Sequence, residues 1–224
     1  MSDPDLYPGL YRLLAWLSPS FPVGAFAYSH GIEWAVEDRR IETEVDLQNW
    51  ISDVIRYGSG WTDAVLFQHA YDGANLSSLN EQALALAPSK ERYLETTAQG
   101  TAFLKTVLDA WTWPEARDAR ATLGHDVAYP IAVALAASGH NIPKAAALHA
   151  YLHGLAANLV SAGVRLIPLG QTAGQRILAA LEVPIDATAE AAINADIHNL
   201  GGIAMMSDIA AMRHETQYTR LFRS

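Results

Sequence analysis

Two histidines four residues apart, His149 and His153, are the first candidates for chemistry in this 224-residue chain, because that spacing sets two imidazoles on one face of a helix. A zinc site built on such a pair needs a further donor, and no acidic residue falls between them or just after. His214-Glu215 opens like a metalloprotease helix motif, but Tyr218 stands where the second histidine belongs, so the pair does not chelate in that way. Gly170-Gln-Thr-Ala-Gly-Gln-Arg176 is the nearest approach to a phosphate loop, yet it lacks the Lys-Ser/Thr that would meet terminal phosphates and magnesium, and no strand precedes it. Gly58-Ser59-Gly60 follows a helical segment and is too short for a nucleophile elbow; it reads as a helix break. With no cysteine, the chain has no disulfide, no thiolate metal site and no thiol nucleophile. An enzyme would have to assemble its site from scattered residues, and would show a concave pocket holding groups of displaced pKa. A metal carrier using some of the eight histidines with carboxylates would instead show histidines clustered in space.

Two segments stand out for recognition rather than catalysis. In residues 213–224, RHETQYTRLFRS, Arg213, Arg220 and Arg223 interleave with Tyr218, Leu221 and Phe222, giving a basic, aromatic-bearing end to a chain of net charge -9. Such an end is suited to docking, either on a partner or on its own domain. In residues 18–33, SPSFPVGAFAYSHGIE, Pro19 and Pro22 stop a helix and Gly24 frees the backbone. A loop that apolar either buries Phe21 and Phe26 under the fold or offers them to a partner.

The elements that position these segments are helical. Leu10, Leu13, Leu14 and Leu17 follow the i, i+3, i+4, i+7 rule, as do Leu47, Trp50, Ile51, Val54 and Ile55. A third face, Gly100 to Trp111, closes at Pro114, and the longest, Leu148 to Leu166, closes at Pro168; both are expected to be central. Thr43 and Asp46 are spaced as a capping box, and Pro143 suits a first turn. No segment alternates with period two. The expectation is an all-α, single-domain bundle of roughly eight to ten helices. The dense alanine and glycine from Ala145 to Gly174 would let helix axes approach closely, or would meet a second copy or a partner.

Half of the residues are hydrophobic, enough for one substantial core. No secretory leader pattern or bilayer-length apolar run is visible, and the expectation is a soluble cytoplasmic protein. A pI near 5.3 argues against nucleic acid and anionic membranes as general partners, and for proteins.

Residues 13–33, LLAWLSPSFPVGAFAYSHGIE, resemble the opening signature of the UreF family of urease accessory proteins. Residues 161–175, SAGVRLIPLGQTAGQ, resemble its middle block, and residues 212–224 its closing one. The resemblance implies a non-catalytic maturation factor, without a cofactor of its own, that joins a scaffold protein, UreD or UreH, to the GTPase UreG on apo-urease. It would regulate GTP hydrolysis for nickel incorporation, and it would form a homodimer; a nickel carrier is the alternative. On this resemblance residues 1–202 form a helical adaptor domain, and 203–224 a partner-docking segment that joins the same domain when ordered. His214, Glu215, Tyr218, Arg220, Leu221, Phe222 and Arg223 match the closing signature and are expected to contact UreD/UreH. Pro22, Gly24, Phe26, Tyr28, Ser29, Gly31, Glu33, Arg165 and Gln171 are expected at the GTPase or the dimer contact. Glu33 would otherwise begin a solvated face with Glu37, and Arg165 would cap its own helix. The chain departs from the family pattern at Ala25, commonly glycine, which leaves in doubt a close backbone approach there, and at His30, commonly glutamine.

Overall fold

Helix starts and stops are written locally and the structure obeys them. Thr43 accepts from the Asp46 N–H while Asp46 accepts from the Thr43 N–H, the reciprocal capping box that opens a helix over Glu44–Tyr57. Gly58 ends that helix and precedes the next, so the Gly58-Ser59-Gly60 break is a corner between two helices. Pro143 sits one position earlier than a first-turn proline, as the N-cap residue.

The protein, described over residues 6–224 by a computed structural model, has the helices α1 (Leu6–Trp16), α2 (Ile32–Glu37), α3 (Glu44–Tyr57), α4 (Ser59–Tyr71), α5 (Leu76–Ala85), α6 (Lys90–Ala110), α7 (Ala116–Ala121), α8 (Tyr129–Gly139), α9 (Lys144–Leu166), α10 (Gln171–Ile193) and α11 (Met205–His214). Among the described residues there is no strand. The fold is the all-α bundle that periodicity requires. The six-residue α2 and α7 fall where no stripe is long enough to announce them.

α8 is apolar on every side and is buried from Pro130 to Ala137, as its sequence, YPIAVALAASG, demands of a helix with no solvent face. It lies against α4, α6 and α9, and α9 also meets α2, α3 and α10. The small residues of α9 are used for packing: a Cβ on Gly163 would fall 2.4 Å from Leu47 of α3, closer than any side chain tolerates. α1 departs from expectation. Leu13 and Trp16 enter the core, while Leu10 and Leu14 are 45% and 66% exposed, because a rim helix buries a narrow arc of its stripe. The segment after α1 splits its two phenylalanines. Phe21 is buried against Phe103 and Trp111, and Phe26 remains 67% exposed. No described helix is long and apolar enough to cross a membrane.

Candidate functional site

α2 begins on two consecutive left-handed residues, His30 (φ 60°) and Gly31 (φ 79°). Glycine is required at the second for a further reason: a Cβ there would stand 2.5 Å from the Ala211 nitrogen of α11, so α2 and α11 touch backbone to backbone. The close crossing brings the chain leaving α11 over the start of α2, where Glu33 waits. Its carboxylate, 8% exposed, accepts from the N–H groups of Leu221 at 2.6 Å and Phe222 at 2.8 Å. The same carboxylate faces His214 Nε2 at 3.1 Å.

His214 is fully buried, with Glu91 of α6 at 2.6 Å from its Nδ1. Both ring nitrogens point at carboxylates, so both contacts are hydrogen bonds only in the imidazolium form. Arg220 donates to the other Glu91 oxygen at 2.8 Å, and Glu215 accepts from the Lys90 N–H at 2.7 Å, the first free donor of α6. These contacts pin the segment after α11 to α2 and α6 by charge-assisted bonds.

Its far end is pinned again. The Arg223 N–H donates to the Ala27 carbonyl at 2.8 Å, and the Ser29 N–H donates to the Ser224 carbonyl at 2.8 Å, which also receives the Ser29 hydroxyl. The Ser224 hydroxyl donates to Glu95 at 2.8 Å. Phe222, 4% exposed, lies under the Arg165 guanidinium at 4.4 Å from the ring centroid, a cation–π contact. Arg165 in turn donates to the Phe26 carbonyl at 2.9 Å.

Behind this junction stands an interior charge cluster. Arg92 of α6 pairs with Glu95 and also donates to His30 Nδ1. Burial and the Arg92 charge push His30 below its ordinary value, so the neutral ring accepts at Nδ1 and donates from Nε2 to the Ser59 hydroxyl at 3.0 Å. Burial works against the Glu95 charge, but the Arg92 guanidinium holds its carboxyl below the usual carboxylate range. Beside the cluster, burial raises Asp63 to about 6 against the opposing pull of its 2.7 Å bond from Tyr151 and of Arg92.

Relatives tell the same story along the whole chain. The UreF family model matches residues 41–182. Urease accessory protein UreF of Bradyrhizobium sp. (strain BTAi1) is 49% identical over 224 residues, covering 97% of this chain and 93% of the relative. The protein of the same name from Rhodopseudomonas palustris (strain HaA2) is 48% identical over 221 residues, 96% of this chain and 93% of its own. The chain belongs to the UreF family. The family model begins after α2 and ends before the tail, while the matches to these two relatives span nearly the whole chain.

In this UreF family member the structure brings together most of the residues that sequence singled out. Ser29, Gly31, Glu33 and Arg165 meet α11 and the chain after it, with His214, Glu215, Arg220, Phe222 and Arg223, in one junction, while Tyr28 is buried beside it. Neither plain reading of the two charged residues suffices: Glu33 is buried rather than solvated, and Arg165 bonds its own helix carbonyl at Ser161 but also the Phe26 carbonyl and the Phe222 ring. Tyr218 and Leu221, at 103% and 68% exposure, point outward, as do Pro22 and Phe26. Gly24 takes the left-handed turn that precedes Ala25. Gln171 is exposed at the start of α10 and shares no hydrogen bond with the junction among the described residues.

Sequence reasoning missed Glu91, Arg92, Glu95 and Asp63. The only signal was a capped helix start, Ser89 to Arg92, in which charges face inward. Among the described residues no group of three or more His, Asp or Glu side chains is placed to hold a metal ion. The mark set for an enzyme, a pocket with displaced pKa values, is present around Asp63.

Proposed function

We propose that this chain is a non-catalytic urease maturation factor of the cytoplasm, an adaptor joining the UreD/UreH scaffold and the UreG GTPase on apo-urease and regulating GTP hydrolysis for nickel incorporation. The observation that carries the reading is the division of labour in the tail. Phe222, His214 and Glu33 are buried and frame it, while Tyr218 and Leu221 are held outward beside Arg220 and Arg223. Exposed aromatic and aliphatic anchors ringed by arginines are the residue mix that dominates protein interfaces. Holding them on a fixed frame lowers the ordering cost of binding. UreD/UreH is the proposed occupant of the tail face, which makes residues 203–224 a docking segment within the adaptor domain. UreG, or a second copy in a homodimer, is the proposed occupant near Pro22, Phe26, Arg165 and Gln171.

The experiment is size-exclusion chromatography with light scattering on the full chain mixed with the UreD/UreH and UreG proteins of its source organism. Co-elution of a ternary complex supports the adaptor reading. A chain that elutes alone beside folded partners overturns it.

A further inference from the structure

The two carboxylates around His214 are shared with the tail. Glu91 of α6 divides its oxygens: Oε2 meets His214 Nδ1 at 2.6 Å, and Oε1 accepts from Arg220 at 2.8 Å. On Glu33 of α2, Oε1 accepts from the Leu221 N–H, while Oε2 accepts from the Phe222 N–H and also meets His214 Nε2 at 3.1 Å. The ring at the end of α11 thus stands between the same two groups that fasten residues 220–222.

Its charge decides whether those groups are balanced. A neutral imidazole has one N–H and one lone pair. Whichever nitrogen gave up its proton would turn a lone pair toward a carboxylate oxygen, and Arg220 alone would remain to offset two carboxylates. Uncompensated charge in an interior is costly, whereas lifting the tail lets water reach both oxygen pairs. The surrounding groups offer no replacement. One turn along α6, Glu95 is paired with Arg92, and the His30 ring beside them is neutral. Glu37 of α2 accepts from Gln217, and Glu215 accepts from the Lys90 N–H. Asp208 of α11 and Asp63 of α4 are acids whose values burial raises. Arg213 and Lys90, the cations adjacent in sequence to His214 and Glu91, are exposed.

We propose that His214 is a proton-operated latch: as the imidazolium it fastens residues 215–224 across α2 and α6, and loss of its proton as pH rises releases them, withdrawing the fixed display of Tyr218 and Leu221. The latch is a property of the chain alone, so it stands or falls separately from the assignment of UreD/UreH to the tail face.

One substitution should reverse the direction of the switch. In Glu91→Gln the side-chain oxygen keeps the Arg220 bond and an NH2 takes the place of Oε2 opposite Nδ1. A neutral ring then accepts at Nδ1 and donates from Nε2 to Glu33, while an imidazolium would press one donor against another.

The test follows hydrogen exchange over residues 215–224 in the full chain, as protection relative to the unstructured rate at each pH, from about pH 6 to about pH 9. In that range ordinary carboxylates and guanidiniums keep their charge and imidazoles lose theirs. Nitrogen-15 NMR of the His214 ring reports its charge in the same samples. Wild type should show both ring nitrogens protonated at the low end, and at least a tenfold fall in tail protection in step with deprotonation of the ring. Glu91→Gln, which retains Asp63 and Asp208, should show a neutral ring and tail protection that holds or rises with pH. A neutral His214 ring in wild type at pH 6, a ring still charged at pH 9, tail protection unchanged through ring deprotonation, or a fall in Glu91→Gln like that of wild type would each overturn the proposal. The first three are read on wild type and decide the matter even if the variant proves unstable.

Discussion

Glu33 and Phe222, separated by 189 positions in the chain, are joined by a 2.8 Å hydrogen bond from the Phe222 N–H to the Glu33 carboxylate. With the Leu221 N–H on the other oxygen, one carboxylate satisfies two backbone donors that no helix or strand pairs. Anchoring of the tail therefore depends on an anionic, acceptor-only group at position 33.

Glu33→Gln keeps the shape but replaces one acceptor oxygen by an NH2 that faces an N–H donor, and it leaves His214 without one of its carboxylates. Loss of a partner in a buried charged network costs about 3 kcal/mol, or roughly 6–12 °C in melting temperature for a chain of this size. Thermal denaturation measures the drop, and hydrogen exchange should show protection lost over residues 215–224. Unchanged protection there would contradict the anchoring role.

Gly31→Ala adds a methyl group at φ 79° that falls 2.5 Å from the Ala211 nitrogen. The left-handed strain alone costs about 1–2 kcal/mol, and α11 must shift as well. We expect a lower melting temperature and, because α11 carries His214, tail exposure like that of Glu33→Gln. Limited proteolysis reads this directly.

Tyr218→Ala with Leu221→Ala should do the opposite. Both side chains are largely exposed, so stability should change by no more than about 0.5 kcal/mol per site. If the tail face is the UreD/UreH surface, loss of one true anchor weakens that complex by about 2 kcal/mol, roughly thirtyfold. Titration of the purified partner against both proteins checks the pair of outcomes.

Asp63 gives a pH signature. Its folded value of about 6 lies above the ordinary 3.8, so between those values the folded state holds a proton that the unfolded state has lost. Its contribution therefore falls as pH rises from about 4 to about 6, and above 6 the group costs its full penalty, on the order of 3 kcal/mol. His30 and Glu95, both lowered, have the opposite sign and lose stability as pH falls. The difference between wild type and Asp63→Asn isolates the first effect. Denaturant melts should find the variant the more stable at pH 7.5, with its advantage shrinking toward pH 4.

The sequence by itself determined the strongly striped helices, the cap of α3 and the class of fold, because an apolar stripe of period 3.6, a Thr43–Asp46 box and a Gly58 break act within one or two turns of chain. Pro184 shows the limit of such local rules: it lies inside the unbroken α10, where packing against α3, α4 and α9 outweighs one lost backbone bond. The signature blocks were legible as special, since prolines, glycines and interleaved arginines at a chain end are poor helix-bundle material. That Glu33 and Arg165 would meet the tail was not legible, nor was the inward turn of Glu91, Arg92, Glu95 and Asp63. A charged residue on a helix reads as solvated unless its partner is known, and these partners come from α2, α6, α11 and the tail. Only tertiary structure decides such pairs, because the cost of burying a charge is offset by a group brought near through folding, and no local pattern encodes that proximity.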